Sequence, residues 1–165
     1  MIVLGIDPGI AVTGYGLVRT DENGCPELIE YGVINATAEK STSSRLIFVY
    51  EQLSRILKEF QPQEVALEKL FYQKNAKTAM AVSEARGVIQ LCLAQHHFDV
   101  TQYSPNEVKQ SVTSYGNAQK KQVQEMVRVL LNLEAIPKPD DAADALAIAL
   151  CHLSSLRYRN LLSSK

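Results

Sequence analysis

Short apolar runs bounded by turn residues occupy the first part of the chain and predict three consecutive β-strands. The runs are IVLGID at 2–7, GYGLVRT at 14–20 and ELIEYGVINA at 27–36. Turn residues separate them, so we expect an antiparallel meander. From Ser43 to Phe60 the apolar residues instead recur every three or four positions, which predicts an amphipathic helix.

The rest of the chain alternates between strand-like and helix-like patterns. EVALE at 64–68 and DVTQY at 99–103 are compact apolar runs that predict strands. Ser-Pro-Asn-Glu at 104–107 is a capping box with proline at the first helical position. We expect helices from Asn75 to about His96, over about 118–131, and from Asp140 to about Leu156. This order predicts an α/β fold, a mixed sheet with antiparallel first three strands and then parallel ones, and with helices on both faces.

Length and composition fit one globular domain. The chain has 165 residues, of which 46% are hydrophobic and 21% charged. We expect a single domain over 1–158 and a short, loose tail at 159–165. Cys25, Cys92 and Cys151 are scattered without a CxxC pair, which argues against a disulfide framework or zinc site and favours a reducing cytoplasm. The sequence contains no run of about 18 apolar residues, so it predicts no membrane segment.

The charge is unevenly distributed along the chain. The net charge is −1, which is unusual for a nucleic-acid-binding protein because such proteins neutralise phosphates with lysine and arginine. The segment from Lys69 to Arg128, however, contains eight basic and four acidic residues, so it carries a net charge of +4. A locally basic face is therefore an expectation for this part of the fold.

Four acidic residues stand where ligands bind in open α/β sheets. Asp7 ends the first predicted strand before a Pro-Gly turn, and Glu68 ends the fourth in the same way. Asp141 and Asp144 lie three residues apart at the start of the last helix, on one face and about 5–6 Å apart at Cβ. Each acid also has a structural interpretation, as a turn starter or a helix cap. Their combination favours a shared site.

Carboxylates that converge repel one another unless cations bind among them or some stay protonated. Oxygen-only ligands favour Mg²⁺ or Mn²⁺ over zinc. Two such ions about 3.5–4 Å apart activate a water molecule and stabilise the leaving oxygen of a phosphodiester. The acids therefore predict metal-dependent phosphodiester hydrolysis that needs no nucleophilic side chain.

Four sequence blocks carry a resemblance to a known family. They are GIDPGIAVTGYG at 5–16, ALEKLFYQKNAKTAMAVSEARGV at 66–88, EVKQSV at 107–112 and DAADALAIALCH at 141–152. In order and spacing they resemble the signature blocks of the RuvC family, bacterial endonucleases that resolve four-way DNA junctions. The resemblance implies a ribonuclease H-like fold and a Mg²⁺-dependent homodimer that makes paired nicks in Holliday junctions, in the cytoplasm, with the RuvA–RuvB branch-migration complex.

The resemblance also implies roles for individual residues. The four acids named above fall on the family's catalytic, metal-binding positions. Asp140 stands next to Asp141 in the sequence. The Asp-Ala-Ala-Asp spacing selects Asp141, and not Asp140, as the metal ligand. Lys109 and Lys120 are implied near the scissile phosphate, where a lysine holds a phosphate or offsets developing charge. Without the resemblance, either lysine would be interpreted as an ordinary solvated surface residue.

An aromatic residue near the site is implied to contact DNA. Phe71 follows Glu68 by three residues and could stack on an unpaired base, with Tyr72 able to share that role. The alternative is a phenylalanine packed in the core. The DNA-binding set implied by the resemblance comprises Phe71, Tyr72, Lys74, Asn75, Lys109, Lys120 and Lys121.

The helix predicted from Asn75 to His96 is apolar around much of its circumference. One face can cover the sheet and leave another for a second subunit of a two-fold dimer. The alternative is a fully buried helix of a monomer. We interpret His96, His97 and His152 as structural or surface histidines.

Three other functions remain open on the sequence. An actin-like phosphotransferase also begins with an acid and glycines after a strand, but it requires two such domains. A junction-binding module without activity would not need all four acids. Another ribonuclease H-like nuclease could act on RNA, although the Phe71 and Lys109 blocks favour the junction enzyme.

Overall fold

The structure is a computed structural model, and it describes residues 1–22, 24–39, 41–69 and 76–163. Strands and helices follow one another as the hydrophobic pattern predicts. Their bounds are β1 (Ile2–Asp7), β2 (Val12–Thr20), β3 (Pro26–Asn35), α1 (Thr42–Phe60), β4 (Glu64–Glu68), α2 (Ala76–Gln95), β5 (Val100–Tyr103), α3 (Pro105–Thr113), α4 (Lys120–Leu130) and α5 (Asp140–Ser163).

The five strands form one mixed sheet in the order β3-β2-β1-β4-β5. The first three pair antiparallel, whereas β1–β4 and β4–β5 pair parallel. Ile6 lies opposite Leu67, so β1 and β4 end side by side. The predicted mixed sheet, antiparallel first and then parallel, is confirmed.

Helices cover both faces of this sheet because alternate strand residues point to opposite sides. On one side Val3 and Ala66 pack with buried residues of α3, α4 and α5. On the other side Leu4 and Val65 pack with buried residues of α1 and α2. The four strand side chains are fully buried, so each helical layer has its own core.

Helix α5 lies directly on the backbone of β1 and β2. A β-carbon at Gly5 would collide with the carbonyl oxygen of Ala145, and one at Gly14 would collide with the carbonyl oxygen of Asp141. Only glycine permits so close an approach at these two positions. The two glycines therefore set how deep α5 sits on the sheet.

Two local predictions have different outcomes. The capping box is confirmed: the Ser104 hydroxyl accepts a hydrogen bond from the Glu107 backbone N–H, and the Glu107 carboxylate accepts one from the Ser104 N–H. The predicted end of α5 near Leu156 is wrong, because the helix continues to Ser163 and includes most of the expected tail. No glycine or proline interrupts this segment.

The extension of α5 is exposed, which explains why its hydrophobic pattern did not reveal it. Tyr158, Leu161 and Leu162 are more than half exposed, so the apolar side chains described there form no buried stripe. The extent of the domain itself stays a prediction. None of the helices in the described ranges has both the length and the apolar character needed to cross a bilayer.

We predict that Gly14→Ala lowers the free energy of unfolding by about 1–3 kcal/mol, because the added methyl group forces α5 away from the sheet. Urea denaturation measures the loss. Gly87→Ala is the matched control, since a β-carbon at Gly87 in α2 meets no atom within 4 Å. It should stabilise the protein by about 0.5–1 kcal/mol. Equal stability of Gly14→Ala and the unmutated protein would contradict this account of the packing.

Candidate active site

Asp7 and Glu68 are brought together by the parallel pairing of β1 with β4. Each is the last residue of its strand, and the preceding residues, Ile6 and Leu67, are register partners. Each of the two carboxyl groups shifts the pKa of the other, so they are close neighbours. The sheet edge therefore presents a pair of acids at adjacent strand ends, as the sequence predicts.

Helices α4 and α5 bring further charges to the same place. Asp141 and Asp144 lie in the first turns of α5, and their charges act on Asp7. The Lys120 ammonium, at the start of α4, lies 2.8 Å from a carboxylate oxygen of Asp144 and 3.7 Å from one of Asp140. Four acids and one lysine thus share a small volume at the sheet edge.

Burial and repulsion from neighbouring carboxylates raise the pKa values of Asp7, Glu68 and Asp144. Burial, followed by the charges of Glu68, Asp144 and Asp141, raises the pKa of Asp7 to about 8, and Lys120 opposes the shift. Burial is also the largest cause of the raised pKa values of Glu68 and Asp144. The protein on its own therefore holds more negative charge here than the environment favours, and a cation would relieve the repulsion.

The chemistry of the donors fits a hard divalent cation. Asp7, Glu68, Asp141 and Asp144 offer only carboxylate oxygens, the ligands that magnesium and manganese prefer. Among the described residues, no three His, Cys, Asp or Glu side chains are gathered closely enough to enclose an ion as they stand. Lys120 instead supplies the positive charge at Asp144. The set therefore fits a metal ion in donor type and in charge.

A groove of about 240 Å³ opens beside the acids. Glu68 and Asp144 line it together with Lys109 and Lys120, and its remaining wall includes the apolar side chains of α3, α4 and α5. Lys109 and Lys120 thus both lie beside the acids. The groove has the mixture of acidic and basic groups that a bound phosphodiester requires.

The other predicted residues are placed differently. Lys121 lines a separate groove with Tyr115 and Glu125, away from Lys120's contact with Asp144. Asp140 contacts Lys138 at 3.2 Å and Lys120 at 3.7 Å, so it is held by lysines at the rim. The predictions for four residues fall outside the described residues: Phe71, Tyr72, Lys74 and Asn75.

Arg86 is a residue of the site that the sequence analysis counted only as a charge. It lies in α2, is 6% exposed, and donates hydrogen bonds to the backbone oxygen of Glu68 and to Gln102 Oε1, the latter at 2.7 Å. One available signal was an arginine set among Ala and Val in a helix that is apolar around most of its circumference.

His152 is a buried structural residue between two elements. It is fully buried, with Nδ1 2.8 Å from the Tyr103 hydroxyl and Nε2 3.1 Å from a Glu64 carboxylate oxygen. These contacts join α5 to β4 and β5. His152 therefore helps to fix the helix that carries Asp141 and Asp144.

A mixed five-stranded sheet with acids at the ends of β1 and β4 and at the start of the final helix is the arrangement of a ribonuclease H-like nuclease. The family model for Crossover junction endodeoxyribonuclease RuvC matches residues 3–152. The chain is 49% identical to the Crossover junction endodeoxyribonuclease RuvC of Alkaliphilus metalliredigens over the whole of both chains. The chain therefore belongs to the RuvC family, which confirms the resemblance.

Solved structures agree with this assignment. The fold is similar to Thermus thermophilus RuvC, with a TM-score of 0.88, 33% identity and 96% of each chain covered. A second structure, T. thermophilus RuvC in complex with Holliday junction substrate, has a TM-score of 0.87 at 31% identity, again over 96% of each chain. The similarity thus includes the fold and almost the full length.

We predict that Asp7→Asn raises the melting temperature by several degrees at pH 8 in EDTA, on a scale of about 2–4 °C per kcal/mol. Folded Asp7 has a pKa near 8 against an ordinary value of 3.8, so between these values the folded protein binds a proton that the unfolded chain lacks. Stability therefore falls as pH rises through this window. The asparagine removes that loss, and its advantage should shrink towards pH 4.

The exposed carboxylate of Asp99 provides the control, since Asp99→Asn should leave the melting temperature unchanged at both pH values. Added Mg²⁺ should stabilise the unmutated protein more than Asp7→Asn, because ligands that bind only the folded state raise its stability. An Asp7→Asn protein that melts at or below the unmutated one in EDTA at pH 8 would contradict a pKa of Asp7 raised by burial and repulsion.

Proposed function

We propose that this chain is a Holliday junction resolvase, an endonuclease that makes paired, symmetric nicks in four-way DNA junctions during recombination and repair. The observation that carries the proposal is the set of four carboxylates at the end of β1, the end of β4 and the start of α5. Membership of the family supports it, as does the Thermus thermophilus relative solved with a Holliday junction.

The proposed cofactor is Mg²⁺, with Mn²⁺ able to substitute and about two ions per site. Asp7, Glu68, Asp141 and Asp144 would hold them, and these residues are also the proposed catalytic set. When bound, such ions activate a water molecule and stabilise the leaving oxygen of a phosphodiester. The raised pKa values of Asp7, Glu68 and Asp144 support a site designed to be neutralised by cations.

Lys109 and Lys120 complete the proposed catalytic set. Both line the groove beside Glu68 and Asp144, where an ammonium group can hold the scissile phosphate and offset charge that develops in the transition state. The contact of Lys120 with Asp144 keeps its ammonium at the acids while the substrate enters. Hydrolysis by this arrangement would leave a 5′-phosphate and a 3′-hydroxyl.

DNA binding is proposed to extend beyond the catalytic groove. Lys121 is exposed on α4 next to Lys120 and can contact the DNA backbone. Family membership supports contacts from Phe71, Tyr72, Lys74 and Asn75, with an aromatic ring that stacks on an unpaired base at the open junction.

We propose that the chain acts as a homodimer. Met80 and Leu91 of α2 are 67% and 54% exposed, and Ile47 of the adjacent helix α1 is 59% exposed. Exposed apolar side chains on neighbouring helices support an interface between subunits. Two copies would present two sites to a substrate of near two-fold symmetry. Family membership supports action in the cytoplasm with the RuvA–RuvB complex.

We predict that the chain cuts a synthetic mobile four-way junction with Mg²⁺ and not with EDTA, and that Asp7→Asn binds the junction without cutting it. The carboxamide keeps the shape of the side chain and removes the charge of a metal ligand. Denaturing gels map the nicks, and gel shifts in EDTA measure binding. Symmetric nicks would support the resolvase. Specific binding without cutting under any divalent metal would instead favour a non-catalytic junction-binding module.

Lys120→Met and Lys121→Met are predicted to separate catalysis from binding. Lys120→Met should lower the single-turnover cleavage rate by about 10²-fold, the scale expected when a group that stabilises the transition state is lost. Lys121→Met should leave that rate within a few-fold and reduce the salt dependence of binding by about one unit of slope. Equal cleavage rates for the two variants would contradict the separate roles proposed for the two lysines.

A further inference from the structure

Arg86 makes a forked contact at the base of the acidic site. One terminal nitrogen of its guanidinium, Nη1, donates to the backbone carbonyl oxygen of Glu68, and the other, Nη2, donates to Gln102 Oε1 at 2.7 Å. These acceptors belong to β4 and β5, whereas Arg86 belongs to α2. A single side chain thus ties three elements together at the residue that carries one of the four carboxylates.

Both acceptors are uncharged, which makes the contact unusual for an arginine that is only 6% exposed. A buried charge is costly unless it is paired, and an apolar side chain of similar volume often gives equal or greater stability. The charge that favours the buried guanidinium is the nearby Glu68 carboxylate. Stability alone therefore gives a weak reason for arginine here, and its relation to Glu68 gives a stronger one.

Glu68 is the last residue of β4, and the backbone N–H of Lys69, directly after it, still donates to the Tyr103 carbonyl oxygen at 2.7 Å. The orientation of a side chain at such an end depends on what fixes its own peptide group. Its N–H side is fixed by the bond to Tyr103, and Arg86 fixes its carbonyl side. Gln102, which pairs with Leu67 in the β4–β5 register, accepts the second hydrogen bond of the guanidinium. The planar guanidinium suits two acceptors at once.

We infer that Arg86 is a positioning residue for Glu68. It holds the end of β4 so that the Glu68 carboxylate faces Asp7, and its charge offsets part of the repulsion among the acids. It acts through Glu68 and touches neither substrate nor metal. The inference rests on the proposed function only where it concerns cleavage. The orientation of a metal ligand also determines metal affinity, which can be measured without any cleavage.

The test uses Mn²⁺ alone as the probe of the free protein. Arg86→Lys keeps the positive charge, but a single ammonium nitrogen replaces the two terminal nitrogens of the guanidinium. We expect it to weaken Mn²⁺ binding, measured by calorimetry well below the melting temperature, by about 10–100-fold. The single-turnover cleavage rate at saturating protein should fall by a similar factor, while junction affinity in EDTA stays unchanged.

A second variant keeps the inference testable if Arg86→Lys folds poorly. Gln102→Leu removes one acceptor and leaves Arg86 in place, so it should weaken Mn²⁺ binding in the same direction by a smaller factor. Arg55→Lys, at an exposed arginine of α1, is the matched control and should change none of these quantities. A residue that merely stabilised the fold would lower the melting temperature without changing the Mn²⁺ affinity of the folded protein.

The outcomes separate this inference from the proposed function. Unchanged Mn²⁺ affinity and cleavage rate in folded Arg86→Lys and Gln102→Leu would overturn the positioning role and leave the resolvase proposal intact. A protein that binds Mn²⁺ but cuts no junction would overturn the resolvase proposal. The Mn²⁺ affinities of the variants would then still decide the role of Arg86.

Discussion

The close packing of α5 on the bare backbone of β1 and β2 is the constraint on which the site depends. Gly5 and Gly14 leave no side chain between helix and sheet, and their neighbours in α5 are the backbone oxygens of Ala145 and Asp141. A helix held at this depth has its first turns at the end of β1, beside Asp7. The parallel partner β4 then adds its own terminal acid, so packing and topology together determine which charges meet.

The same packing creates an electrostatic cost that the fold on its own does not remove. Burial raises the pKa values of Asp7, Glu68 and Asp144, which means that their charged forms are less favourable in the folded protein than in water. Lys120 offsets part of this cost through its contact with Asp144. The acids thus lower the stability of the fold at the place where they attract cations. Such a loss of stability at a functional site is common in enzymes.

Local patterns predicted what depends on neighbours in the chain. The bounds of β1 and β4, the capping box before α3 and the acids at the strand ends all follow from periodicity and turn chemistry. Arg86 could not be predicted this way, because its acceptors lie 16 and 18 residues away and meet it only after α2 crosses the sheet. At the end of α5, Tyr158, Leu161 and Leu162 are exposed and give no buried stripe, the signal on which helix prediction relies.

The structure also reduces the basic charge that the segment between Lys69 and Arg128 can offer to DNA. Arg86 is buried, the Lys69 ammonium lies 3.5 Å from Glu107, and the Arg128 guanidinium lies 2.6 Å from Glu125. These three cations are already engaged within the protein. Fewer phosphate contacts mean a smaller electrostatic share of affinity. Recognition of a branched substrate must then depend more on the shape of the DNA than on a strongly basic protein surface.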